Sequence, residues 1–226
     1  MNKIIWMCWF QGVDDPSMPK LNRRCLDRWS KINPEWCVNI LTNETISNYV
    51  PEYFDILQRS PGRSYQAKSD LIRILLLSKY GGIWVDASVF PMQPLSEFYN
   101  EIVNSTGFFS YRFEQRYKSL ENGDRELASW FMCVKKPKYY LIEKVKLEYT
   151  HHFETMNGWK YFTFHQTIAD LYDTDTEVQN IINNMVQLKP WPAFTASKRE
   201  VQPPVEPSYM YKRPRLDIVT DLLTNR

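Results

Sequence analysis

No apolar run in the sequence is long enough to cross a bilayer. The longest near the start, Ile4–Phe10, has seven residues, where a spanning helix needs roughly 20. It is also too short for the apolar core and cleavage site of a signal peptide. Glycosylation requires a secretory route that the sequence does not advertise, so the Asn-x-Thr sequons at Asn43 and Asn104 carry no weight in the expectation. An excess of one charge is missing too: 28 Lys and Arg against 26 Asp and Glu leave a net charge of +2, far from the basic footprint of a nucleic-acid binder. Cys8, Cys25, Cys37 and Cys133 are scattered with no Cys-x-x-Cys pair, so neither a zinc site nor a disulfide framework is signalled, and reduced thiols in a cytosol fit best. No internal repeat is evident. The expected location is therefore the cytoplasm.

Apolar residues are plentiful at 43%, and aromatics at 15% supply a substantial core with rings to spare for stacking on a ligand. A chain of 226 residues suits one α/β domain. Its organising stretch is Gln66–Pro91. Leu71, Ile72, Ile74, Leu75, Leu76 and Leu77 are too continuous for a surface helix and predict one buried on most sides, from Gln66 to Tyr80. Asp70 and Arg73 lie inside that run, one turn apart on one face. On a solvated stripe such a pair stabilises by about 0.2–0.5 kcal/mol, but a buried helix leaves little room for a stripe. Gly81 and Gly82 close the helix. Ile83–Ser88 then predicts a strand with Ile83 and Val85 on one side and Trp84, Asp86 and Ser88 on the other, stopped soon after by Pro91. Asp86 and Ser88 would point together from the carboxyl end of that strand, where open α/β sheets bind ligands. Such an oxygen pair suits a hard divalent cation holding a diphosphate.

The run SDLIRILLLSKYGGIWVDASVFP resembles the signature of the capsular polysaccharide synthesis family. More broadly it resembles the DXD-containing retaining glycosyltransferases, which include fungal mannosyltransferases and clostridial glucosylating toxins. Asp, Arg, a glycine pair, an aromatic and Asp at fixed offsets form a far more specific pattern than a lone Asp-x-Asp. The resemblance implies a GT-A-type, Rossmann-like α/β fold with a mostly parallel central sheet flanked by helices. It implies one domain over residues 1–226, with the nucleotide-sugar part in the first half, to residue 113, and the acceptor side with a C-terminal wrap from residue 114. The implied activity moves a sugar, with retention, from a nucleoside-diphosphate donor (UDP-linked) to a glycan or lipid-linked oligosaccharide during capsular or other surface polysaccharide synthesis. Mn²⁺ or Mg²⁺ is the implied cofactor.

By the same resemblance Asp86 binds the metal, with Ser88 and His165 as further ligands. Asp70 accepts hydrogen bonds from donor sugar hydroxyls, and Arg73 contacts sugar and diphosphate. Trp9 stacks on the nucleotide base, with Phe10 and Gly12 beside it, while Trp84 and Ser129 flank the donor and Lys212 contacts the diphosphate. Ser88 is a departure, because many relatives carry a second Asp there, and a hydroxyl is a weaker metal ligand than a carboxylate. Bland readings stand beside these. Trp9 and Trp84 also read as core packing, Asn43 as a helix N-cap or a nucleotide contact, and His165 as a hydrogen-bonded core histidine. The adjacent His151 and His152 point about 100° apart on a helix and make a poor chelating pair. A degenerate sugar-nucleotide-binding protein, with Ser88 marking lost catalysis, is one alternative. A nucleotidyltransferase or sugar-nucleotide hydrolase is another, although KIIWMCWFQG lacks the Gly-rich basic loop that nucleotidyltransferases carry.

Elsewhere the pattern predicts strands at Lys3–Phe10, Trp36–Leu41, Gly107–Phe113 and Leu127–Val134. Helices are expected at Pro19–Lys31, Glu44–Tyr49, Pro51–Gln58, Leu95–Val103, Pro137–Glu148 and Gln166–Tyr172. Glu114–Glu126 reads as a polar, acceptor-facing loop. The Pro-rich tail from Lys189, with Lys198, Arg199, Lys212, Arg213 and Arg215, reads as an extended wrap. Its basic groups are candidates for a diphosphate or for a peripheral contact with an anionic membrane at its inner face.

Overall fold

The computed structural model describes residues 3–117, 124–156, 160–189 and 209–212. Most of the predicted wrap, with four of its five basic residues (all but Lys212), lies outside them. The chain opens with β1 (Ile4–Cys8), α1 (Lys20–Ile32) and β2 (Cys37–Leu41), followed by the short α2 (Ile46–Tyr49) and α3 (Glu52–Arg59). Then come α4 (Tyr65–Tyr80), β3 (Gly82–Val85), β4 (Val89–Pro91) and, after a 3₁₀ turn at Leu95–Glu97, α5 (Tyr99–Val103). A long hairpin, β5 (Phe108–Tyr117) and β6 (Arg125–Val134), precedes α6 (Tyr140–Thr155), α7 (Thr163–Thr174), α8 (Thr176–Asn184) and β7 (Met210–Lys212).

The central sheet runs β2-β1-β3-β6-β5. Its β2-β1-β3 part is parallel, and the β6-β5 hairpin joins antiparallel along β3. This is the expected α/β architecture, a sheet with helices on both faces, parallel through β2-β1-β3 where a mostly parallel sheet was expected throughout. The side-chain alternation read from the sequence sorts the core: Ile5, Met7, Ile83 and Val85 pack on one face with Trp29, Phe98 and Phe131. Trp6 and Trp84 pack on the other with α4, α6 and α7. Helix α4 is buried from Leu71 to Ser78 on all sides, because the sheet, α3 and α6 surround it. Its first turn is capped by Ser64, whose hydroxyl accepts from the Ala67 amide at 3.3 Å, one of the orphan donors of a helix start.

The turn out of α4 depends on its glycines. Gly82 has φ +89°, and a Cβ there would lie 2.7 Å from the Ile4 carbonyl oxygen, in the backbone of β1. Backbone cannot move aside as a side chain can, so Gly82→Ala is expected to destabilise the protein by about 2–5 kcal/mol from left-handed strain and overpacking. Urea unfolding of the variant checks it.

Three expectations change. Strand β3 ends at Val85, so Asp86 and Ser88 are not alternate positions of one strand; they lie in a turn closed by the Val89 amide on the Asp86 carbonyl at 3.0 Å. The chain then enters a second, two-stranded sheet in which Val89 pairs with Lys212. The predicted polar loop shrinks from both sides, as β5 continues to Tyr117 and β6 begins at Arg125; hairpin pairing overrides local polarity there. Helix α8 had no counterpart in the sequence reading. Among the described residues no helix is long and apolar enough to cross a membrane.

Candidate functional site

A cavity of 590 Å³ opens beyond the carboxyl ends of β1 and β3. The segment following β1 supplies Trp9, Phe10 and Gln11, and the turn after β3 supplies Asp86 and Ser88. The first half of α4 supplies Gln66, Ser69, Asp70 and Arg73, positions i, i+3, i+4 and i+7 of one helical face. Ser129 of β6, His165 of α7 and Lys212 of β7 complete the wall with the exposed rings of Tyr65 and Tyr161.

Four charges cross the floor as one chain. Arg73 donates through Nη1 to Asp70 Oδ1 and through Nη2 to Asp86 Oδ1, the latter at 2.9 Å. Lys212 Nζ donates to Asp86 Oδ2 at 2.5 Å and to Ser88 Oγ at 3.1 Å. Trp84 Nε1 donates to Asp86 Oδ1 at 2.9 Å. The Arg73 guanidinium lies between two rings, 5.0 Å from the centre of Trp84 and 5.3 Å from that of Phe164, in the range of cation–π attraction. The Arg73 and Lys212 side chains are 3% and 7% exposed. The modest value of a solvated pair therefore does not apply, and each ion depends on its partner.

The protonation pattern follows. Burial pushes the Asp86 carboxyl up, but Lys212 and Arg73 outweigh it and hold it well below the usual range. Asp70 goes the other way: burial raises it to about 6 against the pull of Arg73, with the Asp86 charge adding to the rise. Cys8, at the cavity wall, is pushed up to about 12 by burial and the Asp86 charge, so its thiol stays protonated and is no nucleophile.

His165 is pushed down to about 3 by burial and by the positive charges of Arg73 and Arg125. Its Nδ1 is buried without a hydrogen-bond partner among the described residues, which sets aside the hydrogen-bonded core reading at that nitrogen. A depressed folded pKa means stability fully present above the unfolded value of 6.5 and lost as pH falls toward 3. At pH 5 the loss from this group is about 2 kcal/mol. Asp70, with its raised pKa, acts oppositely between about pH 6 and 4. The expected result is therefore that His165→Gln loses stability less steeply than the wild type between pH 7 and 5, measured as the difference between their denaturation free energies.

Most residues singled out from the sequence meet at this cavity. Gly12 and Asn43 are not among those lining it. Gly12 serves its own backbone, at φ +94° with nothing within 4 Å of where a Cβ would sit. Asn43 is exposed in a turn, its amide donating to the Phe10 carbonyl at 2.9 Å, and Thr45, not Asn43, precedes α2. Sequence reading missed Gln66 and Ser69, although their spacing from Asp70 and Arg73 was the available signal. Tyr65 and Tyr161 gave no signal, being ordinary aromatics until folding leaves them exposed at the mouth.

The expected metal ligands do not fit a resident divalent cation. Such an ion would be held by one or two carboxylates with the phosphates and water, whereas the Asp86 oxygens accept from Arg73, Trp84 and Lys212, the Ser88 hydroxyl accepts from Lys212, and the Lys212 ammonium occupies the place between them. Among the described residues no three His, Cys, Asp or Glu side chains come together to hold a metal ion.

The fold resembles that of the solved PaToxG glycosyltransferase, with a TM-score of 0.50 and 16% identity over 79% of this chain and 73% of that one. An O-glycosyltransferase of Annulohypoxylon truncatum is 32% identical over 100 residues, 39% of this chain and 23% of that protein. The initiation-specific alpha-1,6-mannosyltransferase of Candida albicans is 26% identical over 102 residues, 42% of this chain and 26% of its own length. The chain thus spans about a quarter of the length of these curated relatives. The model of the capsular polysaccharide synthesis protein family matches residues 1–201, and the chain belongs to that family.

Proposed function

We propose that this protein is a glycosyltransferase that takes a sugar from a nucleoside-diphosphate donor and passes it to a glycan acceptor in the building of a capsular or similar surface polysaccharide. The observation that carries the reading is the Asp70–Arg73–Asp86–Lys212 chain of charges on the floor of an aromatic-walled cavity at the carboxyl ends of parallel strands. That is where α/β sheets bind nucleotides. Trp9, Phe10 and the exposed Tyr65 offer stacking surface for a base or sugar ring, and Asp70 faces the cavity as an acceptor for sugar hydroxyls. The family membership and the glycosyltransferase relatives support the class of reaction. A uridine base and retention of configuration belong to the proposal through the resemblance of the Ser69–Asp86 signature.

A thermal-shift screen with UDP-, GDP- and ADP-sugars tests it. A donor at 100 times its dissociation constant adds about 2.7 kcal/mol to the folded state, a clear rise in Tm. A screen in which no nucleotide sugar raises Tm would contradict the reading.

A further inference from the structure

The seat of Lys212 carries an inference that rests on the donor-site reading above and deepens it. The ammonium nitrogen lies 2.5 Å from Asp86 Oδ2 and 3.1 Å from Ser88 Oγ. A divalent ion would need those same two oxygens at about 2.0–2.6 Å. Both cations cannot occupy one place, and their charges repel. Lys212 is not a loose side chain that drifts in: it is 5% exposed, and its strand β7 pairs with β4 from Val89 to Pro91. Immediately before β7, Tyr209 stacks on Phe98 with ring centres 4.4 Å apart and planes at 7°. The Met92 amide donates to the Tyr209 carbonyl at 3.0 Å.

Among the described residues the cavity wall holds two carboxylates, Asp70 and Asp86, and two cations, Arg73 and Lys212. Arg73 spends its two terminal nitrogens on the carboxylates and sits between two rings, so it positions Asp70 and Asp86. Asp86 is shared between Arg73 and Lys212, and Lys212 lines the cavity where a diphosphate would sit. Ser88 fits the same scheme, since a hydroxyl accepts from an ammonium without adding a second negative charge that would cancel it.

We propose that Lys212 is a built-in cation in the place of a divalent metal, so that a nucleoside diphosphate binds and its sugar is transferred without one. In the transfer, the bond between the sugar C1 and the β-phosphate oxygen breaks with its electron pair going to the phosphate. The acceptor hydroxyl oxygen bonds C1, and its proton passes to the departing β-phosphate, giving the glycoside and a nucleoside diphosphate. The new negative charge develops beside Lys212, where a preset cation stabilises it.

Isothermal titration calorimetry of the full chain with UDP, GDP and ADP, each in excess EDTA and in Mn²⁺, tests the assignment. The expected result is one nucleotide whose affinity in EDTA is within about threefold of that in Mn²⁺. Lys212→Met should weaken it by about 10- to 100-fold in EDTA, the loss of a charge-assisted hydrogen bond, and Lys212→Arg should restore part of that. Binding that appears in Mn²⁺ and vanishes in EDTA overturns the inference and leaves the donor site standing. Binding by Lys212→Met equal to the wild type in EDTA also overturns it. If no nucleotide binds in either buffer, the donor-site reading fails and the inference with it. Should Lys212→Met fail to fold, as its melting curve would show, the wild-type comparison of EDTA with Mn²⁺ decides alone.

Discussion

Asp86→Asn is expected to lower sugar transfer by about 10³-fold and to destabilise the fold by about 3 kcal/mol. Both effects have one cause. The Asp86 carboxylate is the shared acceptor for Arg73, Trp84 and Lys212, and an amide keeps its shape while removing its charge. Arg73 retains Asp70, but Lys212 loses its carboxylate in a setting where it is 7% exposed. The side chain of Asp86 is itself 27% exposed, so water offsets part of the loss, which keeps the estimate at the lower end for a broken buried pair. Turnover assays and urea denaturation of the same preparation measure the two effects. A variant as stable as the wild type would mean that the two cations find other acceptors.

Arg73→Lys should also be severe, although the charge is retained. An ammonium cannot reproduce a planar fork that reaches two carboxylates at once while lying between two rings. Either Asp70 or Asp86 then loses its link, and the aromatic sandwich with Trp84 and Phe164 weakens. A stability loss of about 2–4 kcal/mol is expected. Displacement of the two carboxylates by about 1 Å is expected to lower kcat by about 10²-fold. Restoring charge alone is thus predicted to fail, and Arg73→Lys should resemble Arg73→Met more than the wild type in both kcat and denaturation midpoint.

Much of this was legible because the organising signals were local. The unbroken apolar run of α4 forced a buried helix, which made Asp70 and Arg73 conspicuous as charges with no solvated face to occupy. Period-two alternation sorted Ile5 and Met7 from Trp6, and Ile83 and Val85 from Trp84, onto opposite faces of the sheet. What was not legible depended on contacts distant in sequence. The partner of Asp86 at Lys212 is 126 residues away, delivered by a three-residue strand that local pattern cannot distinguish from a basic tail. Without that partner in view, Asp86 and Ser88 read as metal ligands; with it, their oxygens are already engaged. The end of β3 was misplaced for a related reason. VDASVF alternates well enough to pass for one strand, and the break at Asp86 arises because Val89 leaves for pairing with β7.

The central claim, that this cavity is the donor site of a glycosyltransferase, is tested most directly by turnover. The wild type and Asp86→Asn would be incubated with a panel of nucleoside-diphosphate sugars and glycan acceptors, and release of the nucleoside diphosphate followed by ³¹P NMR. The account predicts release from one donor class by the wild type and almost none by Asp86→Asn. Release by both proteins at equal rates, or by neither with any donor, would contradict it.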